Sequence, residues 1–151
     1  MLTLRTTAVR RCAAALATAG LVLSVAVVAP SAAAATPDAG LFGAADPTYD
    51  GVYRQSMALL GLDAAGARPP AAAVAWLTGQ QCASGAFAAY RADTTAPCPN
   101  PDPAAFTGPD SNSTALAALA LKSAGRSNAA QRAVTALRTA QNADGGWGYT
   151  L

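Results

Sequence analysis

The sequence predicts an all-α fold of two helical hairpins, and three observations carry the prediction. A unit closing on a glutamine–glycine–aromatic corner occurs twice, about 60 residues apart. Alanine- and leucine-rich segments of high intrinsic helicity precede each corner. Glycine, proline and short polar residues fall where helices of that length must stop and start. At an offset of 60, Val74, Leu77, Gln81, Ala83, Gly85 and Phe87 match Val134, Leu137, Gln141, Ala143, Gly145 and Trp147. At an offset of 59, Leu60, Leu62 and Gly66 match Leu119, Leu121 and Gly125, so one inserted residue reconciles the two halves of the unit.

The first element, residues 1–35, reads as a signal peptide. Arg5, Arg10 and Arg11 precede an uncharged, mostly apolar run from Ala13 to Ala29, and Ala33-Ala34-Ala35 supplies small residues for cleavage. That run is short for a bilayer span, so no stable membrane span is expected once the signal is cleaved. Arg10-Arg11 leaves Sec and twin-arginine export both open. Three of the ten basic residues leave with this segment and none of the eight acids does, so the mature chain carries a net charge of −1. Its charges are scattered, which excludes nucleic acid as an electrostatic partner.

Residues 36–49 read as a polar lead-in with Pro37, Gly40, Gly43 and Pro47. The repeat segment follows at 50–151: unit one over about 50–90, a loop over 91–109, and unit two over about 110–149. In unit one, Asp50 or a neighbour caps a helix with Tyr53, Met57, Leu59 and Leu60 on its apolar stripe, ended by Gly61 to Gly66. Pro69-Pro70 suit the first turn of the second helix, whose core candidates are Val74, Trp76 and Leu77. In unit two, Asp110, Ser111 or Asn112 caps a helix through Leu116, Leu119, Ala120 and Leu121. Gly125 then takes a left-handed C-terminal position, and Ser127 or Asn128 caps the last helix, with Ala133, Val134 and Leu137 inward.

Between the units the proline-rich stretch from Arg91 to Pro109 lacks any apolar period. Cys82 and Cys98, the two cysteines of the mature chain, read as a disulfide that pins it, adding roughly 3 kcal/mol in the chain-entropy model. A metal site is the rival, and without histidine it lacks further ligands. The loop is a candidate recognition surface or, equally, an insertion held by its disulfide. Asn112-Ser113-Thr114 matches a glycosylation sequon that a helix cap explains as well. Tyr53, Trp76, Tyr90 and Tyr149 are scattered along the chain and read as core residues rather than as an aromatic box.

The corner has a physical logic. A helix end leaves carbonyls without partners, and a Gln side chain can satisfy groups there and on a neighbouring helix. Glycine permits positive φ and close approach, and the aromatic buries apolar area between units, worth ~2 to 3 kcal/mol per ring. Gln141-Asn142-Ala143-Asp144-Gly145-Gly146-Trp147 resembles the Gln-to-Trp repeat of squalene and hopene cyclases and the related repeats of protein prenyltransferases. Gln81-Cys82-Ala83-Ser84-Gly85-Ala86-Phe87 is similar to a degenerate second copy. The resemblance spans most of residues 50–149 and implies an α/α toroid, here incomplete at two hairpins, in which the motif tethers neighbouring hairpins and is structural.

Catalysis does not follow from that resemblance. The Asp-x-Asp-Asp acid motif of the cyclases is absent, as is the zinc-ligand set of the prenyltransferases, and the chain has no His and no Glu. The remaining Asp residues sit at turns and caps. The expectation is therefore an exported, non-catalytic scaffold for a small molecule or a cell-surface partner, without cofactor or metal. Two alternatives stand beside it: the N-terminal part of a terpene cyclase or prenyltransferase whose catalytic residues lie beyond Leu151, and a corrinoid-binding toroid.

Overall fold

The computed structural model describes residues 40–151; the signal-peptide reading of 1–35 lies outside them. Four helices make up the described fold: α1 (Gly51–Ala64), α2 (Ala71–Gly79), α3 (Ser111–Ser123) and α4 (Ser127–Thr139). Among the described residues no β-strand forms, only isolated bridges, and no helix is long and apolar enough to cross a membrane.

Helix starts and stops follow local chemistry, with shifts of a residue or two from the sequence reading. Asp110 caps α3 by accepting from Ser113 N–H at 2.7 Å. Asp50 makes no such bond at α1 and instead pairs with Arg54 at 3.6 Å. Pro70 is the residue before α2 rather than inside its first turn, and its carbonyl accepts from Ala73 and Val74. Gly61 lies within α1, which runs on to Ala64. Both first helices close on the same motif: Ala67 N–H bonds Leu62 O and Gly66 N–H bonds Asp63 O, as Arg126 bonds Leu121 and Gly125 bonds Lys122. Gly125 takes the left-handed conformation at φ 74°. Arg126, whose amide completes that closure, is the residue before α4, and neither Ser127 nor Asn128 caps it.

α3 sits at the centre, packed on α1 and α4 and touching α2. The core joins Val52, Leu59, Ala73, Val74, Leu77, Phe87, Leu121 and alanines of α3 and α4. Small side chains let these helices lie close, and the burial they share supplies the hydrophobic stabilisation. The buried face of α1 is Val52, Gln55, Ser56 and Leu59. Tyr53 and Met57 are about half exposed, so the stripe predicted from bulk alone is rotated from the real one. Likewise Leu119 points outward at 57% exposure, and Ala117, Ala118, Ala120 and Leu121 face in. The N-termini of α1 and α3 lie at one end, because Val52 N–H bonds Ala89 O and Asp110 N–H bonds Phe87 O, two residues away.

Candidate functional site

The repeated corner is a defined object. After α2, Gln81 folds its amide over the turn and donates to Gly85 O at 2.9 Å and to Ala129 O, in the first turn of α4, at 2.8 Å. Its Oε1 accepts from the Arg132 guanidinium. Cys82 N–H bonds Ala86 O and Gly85 N–H bonds Cys82 O, which closes the loop. Gly85 has φ 92°, and a Cβ there would stand 2.6 Å from Arg132 O, so both conformation and space demand glycine. Phe87 is fully buried; its N–H donates to the Thr114 hydroxyl at 2.9 Å and its carbonyl accepts from Asp110. Gln81, Gly85 and Phe87 thus join α2 to both helices of the second unit.

The second corner repeats the internal bonds. Gln141 donates to Gly145 O at 2.7 Å, Asn142 N–H bonds Gly146 O, and Gly145 N–H bonds Asn142 O. Asp144 accepts from Gly146 N–H, and the Trp147 indole donates to Leu137 O at 2.7 Å. Among the described residues Gln141 reaches no neighbouring helix, and Trp147 is 45% exposed.

A third corner went unread in the sequence. Within the stretch taken for a polar lead-in, Leu41 and Phe42 are buried. Gly40 has φ 70° and lies against Ala72 O; Phe42 N–H donates to Gln55 Oε1 at 2.8 Å. Gln55 Nε2 bonds Gly40 O and Ala73 O, the carbonyl of the third residue of α2, as Ala129 is the third of α4. The spacing Gly-x-aromatic is common to Gly40/Phe42, Gly85/Phe87 and Gly145/Trp147 and was the available signal. Here the glutamine follows its corner in sequence instead of preceding it, which hid the match.

The loop at 91–109 is ordered by two devices. The Cys82–Cys98 disulfide, with Cα atoms 5.7 Å apart, ties it to corner one. Arg91 is buried and turns its guanidinium onto the carbonyls of Gly79, Gln81, Thr94 and Ala96, while Gln80 exchanges two hydrogen bonds with the Arg91 backbone. Between loop and corner lies a cleft of about 640 Å³, walled by Arg91, Ser84, Thr94, Thr95, Asn100 and several prolines.

The carboxylates serve the backbone. Asp46 and Asp93 accept from Thr48 and Thr95, and these bonds hold their pKa values below the ordinary range. Asp102 accepts from Ala104 and Ala105. Asp110 is pushed upward by burial, against the bonds from Ser113 and Asn112, and its Oδ2 has no partner among the described residues. Burial and then the Asp110 charge push Tyr149 up as well. No three Cys, Asp, Glu or His side chains cluster among the described residues. The sequon is built into the cap: Ser113 and Thr114 are buried, and the Thr114 hydroxyl serves Phe87 and Asp110. Trp76 stacks on Tyr90 at 6.4 Å and Tyr149 meets Phe106 edge-on at 5.4 Å, while Tyr53 and Tyr149 stay partly exposed rather than entering the core.

Comparison with protein-family models, with curated proteins and with solved structures finds no match.

Proposed function

We propose that this chain is an exported α-hairpin repeat scaffold, of the squalene-cyclase and prenyltransferase toroid type, that binds a small molecule or a cell-surface partner without transforming it. The observation that carries the reading is the cleft beneath the disulfide-held loop. Its lining offers hydroxyls and amides, with the terminal N–H groups of Arg91 already given to main-chain carbonyls, and no acidic, lysine or tyrosine side chain. Arginine stays protonated across the working pH range, so such a wall can orient a ligand but supplies no general acid or base.

Three further features support the same reading. The Gln81 amide ties α2 to α4, as a structural Gln-to-Trp tether would. α1 and α3 lie side by side with their N-termini at one end, the arrangement of successive hairpins on an arc. The basic, apolar, small-residue leader and the disulfide fit an oxidising compartment.

The purified mature protein, incubated with squalene and separately with farnesyl diphosphate plus a cysteine-terminated peptide, should consume none of them. Turnover that disappears on replacing one of its Asp residues by Asn would overturn the scaffold reading. N-terminal sequencing of the product recovered outside the cell should begin near Thr36; an uncleaved leader would overturn export.

A further inference from the structure

The first corner is closed from outside by groups of the second unit. Phe87 N–H meets the Thr114 hydroxyl, Phe87 O receives Asp110 N–H, Gln81 Nε2 meets Ala129 O, and Gln81 Oε1 receives Arg132. At the matched positions of the second corner the bonds that close the loop are made, the Gln81–Phe87 bridge has no counterpart, and those four external bonds are missing. Among the described residues Trp147 N–H, Trp147 O and Gln141 Oε1 have no partner, and Gln141 Nε2 keeps one hydrogen free. The apolar side is bare too: Trp147 and Leu119 are exposed, whereas their counterparts are Phe87, buried in the core, and Leu60, partly buried against it.

We propose that the Gln141–Trp147 corner is a docking surface for a further helical hairpin of the same repeat, carried by the polypeptide that follows Leu151. The inference rests on the repeat architecture proposed above and not on the cleft or its ligand. The two occupied corners specify the occupant. A helix follows a cap residue and carries a hydroxyl or carboxamide four or five positions later, as Thr114 follows Asp110 and Gln55 follows Asp50. A second helix begins with small residues and offers the carbonyl of its third, as Ala73 and Ala129 do. Phe42 precedes the Asp50 cap by 8 residues and Phe87 precedes Asp110 by 23, which brackets where the new cap falls after Trp147. A second copy of the chain fits poorly. Its α1–α2 positions are filled by its own Gly40–Phe42 corner, and its α3–α4 positions by Gln81–Phe87.

The test compares the native polypeptide at full length with the chain ending at Leu151, each as parent, Trp147→Phe and Gln141→Ala. The difference between parent and W147F fluorescence isolates Trp147 from Trp76. At full length, acrylamide quenching of Trp147 should fall several-fold and Q141A should lower the thermal midpoint; in the shorter chain quenching stays high and Q141A is silent. Three results overturn the proposal: Trp147 equally quenched in both, a native polypeptide that ends at Leu151, or a concentration-dependent dimer of the shorter chain that buries Trp147. None depends on turnover or ligand binding, so failure of the scaffold reading leaves this outcome separately readable.

Discussion

Two corners with matched backbones differ in what surrounds them. At Gln81–Phe87 the turn is mostly buried except at its Ala83–Ser84 tip, its aromatic fully covered and its glutamine shared among Gly85, Ala129 and Arg132. At Gln141–Trp147 the same internal bonds form in solvent. The local sequence alone therefore suffices to bend the chain. Tertiary packing decides how much the bend is worth, because the energy lies in the apolar area and the long-range bonds rather than in the turn.

The sharpest test of that contrast is the aromatic. Phe87→Ala should cost about 3–5 kcal/mol in urea unfolding, the range for deleting a buried ring. Trp147→Ala in the same chain should cost no more than about 1.5 kcal/mol, since much of the ring is already in water. Equal costs would break the comparison.

The next effect comes from the covalent tie that only the first corner has, Asn142 standing at the position that matches Cys82. Replacing both Cys82 and Cys98 by Ala should cost roughly 3 kcal/mol, read as a lower urea midpoint with a somewhat steeper slope, since the unfolded chain is freed to expand. Asn142→Ala should stay within about 0.5 kcal/mol.

The glycines come third. Gly85→Ala sets a left-handed alanine whose Cβ runs into Arg132 O, and should cost more than about 2 kcal/mol. At Gly145 the nearest atom is the movable Gln141 amide at 4.0 Å, so the same change should cost about 1 kcal/mol from conformation alone.

The smallest effect concerns the buried cap that closes the first corner. Asp110 is raised above its ordinary 3.8 because burial penalises its charge. The unfolded chain thus loses this proton before the folded one does, and stability falls as pH rises from 3.8 through the folded value. Asp110→Asn keeps an oxygen for Ser113 and removes the charge. Relative to D110N, the parent should lose stability across that window and match it below 3.8, in denaturation followed at several pH values.

The repeated corners and the four helices were legible because the residues that make them recur at a fixed offset. Gln81 and Gly85 bond within the first corner, Phe87 is buried beside it, and Cys82 and Cys98 stand at disulfide distance. The role of Gln55 was not legible. It reaches partners 13 to 18 positions away from inside a helix, and nothing local marks it apart from an ordinary helical glutamine. The face of α1 was misread for a related reason. In alanine-rich helices small residues do the packing, so Tyr53 and Met57 outweighed Val52 and Ser56 in any reading by bulk. The cleft was foreseen only as a loop, because its walls come from residues that the disulfide and Arg91 gather from both sides of the turn.

Arg91 carries one more consequence. Among the described residues its guanidinium is held by four main-chain carbonyls and bonded by no carboxylate, with the Asp93 charge near enough to feel it. Dissolved ions weaken exposed charge pairs over about 10 Å at 0.1 M, yet they weaken much less the contacts of a cation mostly buried among main-chain oxygens. The loop it fastens is therefore expected to keep one shape in dilute and briny surroundings alike.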